Sequence, residues 1–242
     1  MRLGIIGGLG PMATAYFMEL LVAMTDAARD QDHIETIVYS IPTVPDRTAY
    51  ILGQSKDSPL EDMIEIGRTL HRQGAEVLAI PCITAHYFHS QLQEGIGMPV
   101  IHGIRKTAEA LQLAGISRVG VMATDGTICS GLFQQELSLA GIETVVPTQE
   151  CQKDVMSLIY DDIKANRKPN MNRFMQVVRQ LKEQGAECIV LGCTELSLIK
   201  KEQDIGAGFV DVMEVLAQQT ILACGKKVGV DYQNLVSRFP GV

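Results

Sequence analysis

Residues 70–86 read L-H-R-Q-G-A-E-V-L-A-I-P-C-I-T-A-H, and the fold of the whole chain can be worked out from this stretch. The letters predict the end of a helix, a glycine stop, a buried strand and a cysteine just after the strand. Residues 181–196, L-K-E-Q-G-A-E-C-I-V-L-G-C-T-E-L, repeat the pattern, and Cys193 lies 111 positions after Cys82. The repeat of one half of the chain, with a thiol kept in each copy, predicts one site built from two cysteines.

The segments around these two stretches predict a parallel α/β architecture. Leu3–Ile6 is an apolar run that opens into a glycine loop and then a helical pattern, and Val119–Met122 opens into a similar loop. The predicted strands are Leu3–Ile6, Ile34–Ser40, Val77–Ile80 and Met98–Ile101 in the first half, and Val119–Met122, Ile142–Val146, Cys188–Leu191 and Gly208–Asp211 in the second. We therefore predict two similar α/β/α halves with parallel four-stranded sheets, related by an internal pseudo-twofold duplication.

The duplication also predicts the domain boundaries. Residues 1–100, together with about 212–242, form the first domain, with the last helix packed on it, and residues 101–211 form the second. Loops at the carboxyl ends of parallel strands carry the chemistry in such folds. We therefore expect the active site in the cleft between the two domains.

The composition excludes several classes of function. The net charge of −7 argues against a nucleic-acid or anionic-membrane partner, which requires a basic face. No apolar run reaches transmembrane length, and the first ten residues lack the features of a signal peptide. The six cysteines contain no C-x-x-C pair, which favours free thiols in a reducing cytoplasm.

Cys82 and Cys193 are the candidate catalytic residues. Each follows a predicted strand and precedes a predicted helix, where backbone N–H groups and the helix dipole favour a thiolate. One thiolate can remove an α-proton while a thiol on the opposite face returns one. The alternative is that both cysteines are small buried apolar residues. The repeat favours catalysis, because both thiols are kept although Pro81 is replaced by Gly192.

Three other features receive different interpretations. The loop Gly7–Gly10 fails the G-x-G-x-x-G spacing of a dinucleotide site, and we expect it to present N–H groups to a small anion. Metal binding by His86 and His89 is a weak alternative without a third ligand, so no metal site is predicted. Glu195 is interpreted as an anion at a helix N-terminus rather than as a catalytic neighbour.

Five motifs carry a resemblance to a known family. They are Gly7-Gly8-Leu9-Gly10-Pro11-Met12-Ala13-Thr14, Pro45-Asp46-Arg47-Thr48, Pro81-Cys82-Ile83-Thr84-Ala85-His86, Ala123-Thr124-Asp125-Gly126-Thr127 and Leu191-Gly192-Cys193-Thr194-Glu195. On these motifs, which run from residue 7 to residue 195, the chain resembles the aspartate/glutamate racemase family. The resemblance implies two flavodoxin-like domains, a homodimer and a two-base racemase that uses no cofactor.

The resemblance also implies roles for individual residues. Cys82 and Cys193 are then the acid/base pair, and Arg47 and Lys164 hold the carboxylates of the substrate. The other substrate-binding residues that it implies are Gly10, Ile83, Thr84, Ala85, Thr124, Thr127 and Thr194. From the residues alone, Arg47 is equally well a surface loop arginine, and Lys164 is a solvated lysine. Ile83 departs from the family's aspartate racemases, which usually have Asn after the first cysteine.

The function predicted from the sequence is racemisation of a small acidic amino acid, aspartate or glutamate, by exchange of the α-proton between two thiols. One alternative keeps the fold and makes the protein a cysteine-dependent isomerase or decarboxylase of small dicarboxylates. Another makes it a non-catalytic amino-acid-binding protein.

Overall fold

The computed structural model describes residues 1–241. The strands are β1 Leu3–Gly7, β2 Thr36–Ser40, β3 Val77–Ala79, β4 Arg118–Met122, β5 Glu143–Val145, β6 Cys188–Leu191 and β7 Phe209–Asp211. The α-helices are α1 Pro11–Met24, α2 Arg47–Ile51, α3 Leu60–Arg72, α4 His89–Ile96, α5 Gly103–Leu113, α6 Asp125–Cys129, α7 Leu132–Leu139, α8 Gln149–Met156, α9 Met171–Glu183, α10 Thr194–Glu202 and α11 Val212–Ala223. Two further segments matter for the site, a 3₁₀-helix at Ile83–Phe88 and a π-helix at Ser157–Ile163.

The chain divides into two compact units. Unit 1 comprises Met1–Gly103 and Met213–Asn234, so it includes nearly all of α11. Unit 2 comprises Ile104–Val212 and the described residues from Leu235 onward. Phe239 in this last segment is 4% exposed and packs against Phe209 of unit 2, with ring centroids 5.6 Å apart.

Both units contain a parallel sheet, which has three strands in unit 1 and four in unit 2. The order is β2-β1-β3 in unit 1 and β5-β4-β6-β7 in unit 2, and every strand pair is parallel. The central strands β1, β3, β4 and β6 are largely buried, as expected when helices cover both faces of a sheet. The prediction of two similar α/β halves with parallel sheets is confirmed.

The predicted fourth strand of the first half, Met98–Ile101, is wrong as a strand. Only Val100 pairs with β3, through a single parallel bridge to Leu78. The physical reason is Pro99, which has no backbone N–H and therefore supports only a short edge pairing. The N–H of Val100 instead reaches the side-chain amide oxygen of Gln93, 3.3 Å away.

The segment after β2 is also more ordered than the sequence predicted. Two prolines favoured a loop, but Arg47–Ile51 forms the short helix α2. The Asp46 side chain caps it by accepting a hydrogen bond from the N–H of Ala49 at 2.8 Å. This cap places Arg47 at the first position of the helix.

A close approach between a helix and a central strand occurs at the same place in both units. A Cβ on Gly4 of β1 would lie 3.3 Å from the Cβ of Leu70 on α3, and one on Gly120 of β4 would lie 3.2 Å from the Cβ of Leu181 on α9. Leu70 and Leu181 are the first letters of the repeated stretches. The repeated leucine is therefore the residue that packs against a glycine of the central strand in each unit.

The glycines of the repeat end α3 and α9 in the same way. Gly74 and Gly185 adopt left-handed conformations, with φ of +89° and +86°. In both units the next residue, an alanine, donates its N–H to the carbonyl of the leucine five positions earlier, at 3.0 and 3.2 Å. This is a Schellman motif, and it turns the chain from the helix into the next strand.

The glutamine and glutamate of the repeat form hydrogen bonds with an arginine at the start of the central strand, and we call this group the arginine clasp. Its members are Arg2, Gln73 and Glu76 in unit 1 and Arg118, Gln184 and Glu187 in unit 2. The glutamate carboxylate accepts from the arginine N–H at 2.7 and 3.0 Å, and the guanidinium donates to the glutamine carbonyl at 3.2 and 3.3 Å. The clasp ties the end of a helix to the amino end of the central strand.

The clasp in unit 2 predicts a measurable loss of stability in Glu187→Gln. The Glu187 carboxylate accepts from the N–H and hydroxyl of Ser117 at 2.8 and 2.6 Å and from Arg238 Nε at 3.0 Å. The hydrogen bond from the Ser117 side chain is the largest cause that lowers the carboxyl pKa, which falls to about 2. We expect the free energy of unfolding at pH 7 to fall by about 1–2 kcal/mol.

Urea unfolding at pH 7 and pH 3 tests this expectation. Because the folded pKa is lowered, the stabilisation is present above about pH 4.5 and is lost as the pH falls towards 2. The difference between wild type and variant should therefore shrink at pH 3. Glu183→Gln, which changes an exposed carboxylate on α9, is the matched control. A Glu187→Gln protein as stable as this control would contradict the assignment.

Candidate active site

The first candidate cysteine lies at the carboxyl end of β3. Cys82 is 6% exposed and immediately precedes the 3₁₀-helix Ile83–Phe88. Its N–H reaches the carbonyl of Ile80 at 2.7 Å, which makes Pro81 the centre of a tight turn. Its own carbonyl accepts from Ala85 N–H at 3.1 Å. The turn and the short helix together fix the backbone on both sides of the thiol.

The predicted substrate-binding residues next to Cys82 are all buried. Ile83 is 2% exposed, Thr84 is 6% exposed and Ala85 is fully buried. At Ile83 the chain presents an apolar side chain, so this position offers no side-chain hydrogen bond to a ligand.

Arg47 lies inside unit 1, against the glycine loop. The alternative of a surface loop arginine is wrong, because Arg47 is 7% exposed. Its Nη2 donates to the carbonyl of Leu9 at 2.6 Å, and its Nη1 donates to those of Val44 and Pro45 at 3.3 and 3.0 Å. The guanidinium therefore joins the loop after β1 to the loop after β2, and it brings a positive charge to the carboxyl edge of the sheet.

The glycine loop is held by one threonine. Gly10 caps α1, and its carbonyl accepts from the N–H and hydroxyl of Thr14 at 3.1 and 2.9 Å. The Thr14 hydroxyl oxygen accepts in turn from Gly8 N–H at 2.9 Å. This network fixes the backbone of the loop next to Arg47.

Three histidines pack against one another in unit 1, and one of them, His86, contacts the Cys82 backbone. The ring of His86 lies 5.6 Å from that of His102 and 6.4 Å from that of His89. His86 Nδ1 is 3.2 Å from the Cys82 carbonyl, and because a carbonyl only accepts, Nδ1 carries the proton. Burial and then the nearby His102 lower the His86 pKa to about 3, so this ring is neutral at physiological pH.

The histidines do not complete a metal site. Within residues 1–241, no three His, Cys, Asp or Glu side chains are grouped so that they could hold a metal ion. His89 Nε2 lies 2.8 Å from the carbonyl of Val100, so its ring supports the edge segment of the sheet. The contact of His86 with the Cys82 carbonyl is not predicted from the sequence, where the spacing of four residues is its only signal.

The second candidate cysteine lies at the carboxyl end of β6. Cys193 is 5% exposed and is the N-cap residue of α10. The preceding Gly192 leaves no room for a side chain, because a Cβ there would meet the ring of Phe133 at 2.8 Å. The glycine therefore stands where the first unit has Pro81 because a phenylalanine occupies the space.

The Cys193 thiol donates a hydrogen bond to a buried carboxylate. Its Sγ lies 2.9 Å from Oε2 of Glu195, and the hydroxyl of Thr194 lies 3.3 Å from the same oxygen. Burial, and then the charge of Glu195, raise the pKa of this thiol well above its usual range, whereas Lys164 acts in the opposite direction. The expectation that the helix N-terminus favours a thiolate at Cys193 is therefore wrong, because burial and the carboxylate outweigh it.

Lys164 follows the π-helix and lies near this carboxylate. Its Nζ is 3.7 Å from Oε1 of Glu195 and 4.8 Å from the centroid of the Tyr160 ring. Its N–H reaches the carbonyl of Ile159 at 2.9 Å, five residues back, which is the spacing of a π-helix. The sequence of Asp154–Ala165 predicts a single helix, but the structure has two segments here, the end of α8 and the π-helix Ser157–Ile163. The change of period turns Lys164 towards Glu195.

The other predicted residues of unit 2 form a separate pair. Thr124 caps α6, and its hydroxyl lies 3.1 Å from that of Thr127. The loop that holds them follows β4, and the Gly192 N–H donates to the Met122 carbonyl at 2.8 Å. The loop after β4 therefore adjoins the loop that carries Cys193, as expected for neighbouring parallel strands.

The structure thus forms two clusters from the predicted residues. Unit 1 groups Gly10 with Arg47 on one side and Cys82 with residues 83–85 on the other. Unit 2 groups Cys193, Thr194 and Lys164 with Glu195, which the sequence analysis had treated as a helix N-terminal anion. Both clusters lie at the carboxyl ends of parallel strands. No helix in the described residues 1–241 is long and apolar enough to cross a membrane.

Comparisons with known proteins give a consistent result. The profile of the family described as Asp/Glu/Hydantoin racemase matches residues 6–220. The broad specificity amino-acid racemase RacX of Bacillus subtilis is 25% identical over 225 residues, which cover 90% of this chain and 96% of that protein. A glutamate racemase from Corynebacterium diphtheriae is 29% identical over 167 residues, 64% of this chain and 62% of that protein.

A solved structure is similar over nearly the whole length. The aspartate racemase of Picrophilus torridus superposes with a TM-score of 0.82 and 28% sequence identity. The match covers 97% of this chain and 99% of that one.

The buried His86 predicts that the free energy of unfolding decreases as the pH falls. Its folded pKa is lowered to about 3, whereas an unfolded histidine binds a proton below about 6.5. The unfolded state therefore takes up a proton that the folded state does not. From pH 7 to pH 5 the wild type should lose about 2 kcal/mol through this group, and His86→Gln should not.

Urea unfolding at the two pH values measures the difference. His71→Gln, which changes an exposed histidine on α3, is the control and should keep the slope of the wild type. Equal pH slopes for wild type and His86→Gln would show that the ring does not stay neutral in the folded protein.

Proposed function

This chain belongs to the Asp/Glu/Hydantoin racemase family, and on that premise we propose that it racemises a small acidic amino acid, aspartate or glutamate, by a two-base mechanism without a cofactor. The match to the family confirms the resemblance inferred from the motifs. The observation that carries the proposal is the repeat, which sets Cys82 and Cys193 each directly after a buried parallel strand and before a helical segment.

The proposed chemistry is a proton exchange at the α-carbon. One cysteine, as thiolate, takes the α-proton, and the electron pair of the broken C–H bond passes into the substrate carboxylate to give a planar intermediate. The other cysteine, as thiol, gives its proton to the opposite face of the same carbon and becomes the thiolate. The net result is the mirror-image amino acid, with the protonation states of the two thiols exchanged.

The intermediate carries added negative charge, and the proposed binding residues would stabilise it. We assign Arg47 and Lys164 as the cations that attract the two carboxylates of the substrate. The backbone N–H groups of Ile83 and Thr84 follow Cys82, and the start of α10 at Thr194 follows Cys193, so we assign donors to the substrate anion in both helical segments. Gly10 and the pair Thr124 and Thr127 complete the proposed set.

Two names among the similar proteins support the substrate class. The superposed structure is an aspartate racemase, and one sequence relative is a glutamate racemase. Another relative is named for broad specificity, and Ile83 removes a polar side chain beside Cys82, so the substrate panel must include neutral amino acids as well.

We further propose that the protein is a homodimer and works in the cytoplasm. The homodimer is proposed because the resemblance to the family implies it. The cytoplasmic location is supported by the six free cysteines, which are the state expected in a reducing compartment. Light scattering coupled to size exclusion measures the mass in solution.

Replacing either catalytic thiol should abolish racemisation. We expect Cys82→Ala and Cys193→Ala each to lower kcat by about 10²–10⁴-fold, because each removes one of the two proton carriers. The Ser variants should be nearly as inactive, since an alcohol is a much weaker acid. A chiral assay over single-enantiomer amino acids gives the rates, and Cys129→Ser, which changes an exposed thiol, is the control.

Running the reaction in deuterium oxide distinguishes the racemase from the alternative functions. A racemase places solvent deuterium at Cα, whereas a decarboxylase releases carbon dioxide and a binding protein exchanges nothing. A Cys193→Ala protein that still racemises near the wild-type rate would end the two-base proposal. Wild type that binds aspartate tightly without exchange would favour the binding protein.

Lys164→Met should weaken the reaction with acidic amino acids. The variant keeps most of the aliphatic stem and removes the charge that we assign to a substrate carboxylate. We expect kcat/KM for aspartate to fall about 10–100-fold, the usual effect of losing one charge-assisted hydrogen bond. Lys168→Met, four residues along and exposed, should leave the rate unchanged. Equal losses in the two variants would remove Lys164 from the site.

A further inference from the structure

The repeat places different residues after the two cysteines. At the same offset of 111 positions, Thr84 corresponds to Glu195, and His86 corresponds to Ser197. Only the second of these cysteines therefore has a carboxylate two residues further along. Cys193 Sγ donates a hydrogen bond to Oε2 of this carboxylate at 2.9 Å, and Thr84 offers no carboxylate to Cys82.

The surroundings make this hydrogen bond a strong constraint on the proton. Glu195 is 5% exposed, and its fixed partners are the Cys193 thiol, the Thr194 hydroxyl and the Lys164 ammonium. Lys164 follows the π-helix that packs on α10, and its ammonium group lies 3.7 Å from Oε1 of this carboxylate. A thiolate at Cys193 would lose its donor role and would place a second negative charge against Glu195 in a region of low dielectric constant.

We propose that Glu195 is a positioning residue that holds the proton on Cys193 in the resting enzyme, so that Cys82 is the thiol that begins turnover as the base. The assignment of Cys82 rests on the proposed function. The hydrogen bond also orients the Cys193 proton before substrate binds. The two halves, although repeated, then start the reaction in unequal states.

This inequality has a definite kinetic form. Two enantiomers have equal free energies, so kcat/KM for the two directions must be the same. One enantiomer reacts with the resting form of the enzyme, in which the proton is on Cys193. The other enantiomer reacts with the form in which the proton is on Cys82. The separate values of kcat and KM should therefore differ between the directions, and Glu195→Gln should make them more alike.

The decisive experiment follows the Cys193 proton directly. Protein labelled with ¹³C at cysteine Cβ is titrated by NMR, because this carbon shift distinguishes thiol from thiolate without access by a reagent. Cys193→Ser identifies the signal. In wild type we expect Cys193 to remain a thiol at pH 9, where an ordinary cysteine has begun to ionise. In Glu195→Gln the midpoint should fall by about one pH unit or more.

The matched control is Glu202→Gln, an exposed carboxylate on the same helix α10, which should leave the Cys193 midpoint unchanged. A Cys193 signal in wild type that titrates at or below the ordinary range overturns the proposal, even if no Glu195 variant folds. A folded Glu195→Gln with an unchanged midpoint overturns it as well.

The outcomes also separate this inference from the proposed function. A raised midpoint that falls in Glu195→Gln, in a protein that racemises no amino acid, supports the role of Glu195 and rejects the racemase. An active racemase with a Cys193 midpoint independent of Glu195 keeps the proposed function and rejects the role of Glu195.

Discussion

The close contact of Leu70 with Gly4, and of Leu181 with Gly120, is the constraint on which the rest of each unit depends. A Cβ on Gly4 would also lie 2.6 Å from Leu78 Cδ2, and one on Gly120 would lie 3.1 Å from Ile189 Cγ1, so a side chain at either glycine would crowd the neighbouring strand as well as the helix. With the helix held against the sheet, the strand that follows it pairs with the central strand in a fixed register. Within each unit, that register brings the loops after neighbouring strands to one edge of the sheet, where the cysteine of that unit lies.

The repeated stretch therefore has two different parts. Its leucine, glutamine, glycine and glutamate form a helix end and the arginine clasp, which are structural and nearly identical in the two units. Its cysteine begins the second part, in which the residues of the two units differ. Cys82 is followed by the buried segment Ile83–Phe88, in which the neutral ring of His86 contacts the Cys82 carbonyl, whereas Cys193 is followed by the carboxylate of Glu195. The duplication kept the framework and differentiated the sites.

Most of the fold follows from local signals in the sequence. Apolar runs bounded by glycines predicted the strands, because buried parallel strands need apolar residues on both faces. Pro99, which has no N–H, accounts for the absence of a strand at Met98–Ile101, and the cap formed by Asp46 accounts for helix α2. The site was predicted less completely. The turn of Lys164 towards Glu195 depends on a π-helix, which has no 3.6-residue period to detect, and the bond from Cys193 to Glu195 depends on side-chain orientation.

The position of the arginine clasp affects how such a protein tolerates change. Glu187 lies at the amino end of β6 and Cys193 follows its carboxyl end, six residues later, so up to about 20 Å of extended chain separates them. The clasp, which strengthens the sheet, thus lies at the opposite end of β6 from the cysteine that we propose to react. Substitutions that raise thermostability through the clasp should escape the usual trade-off with activity. Such a division gives evolution, or an engineer, two regions to optimise independently.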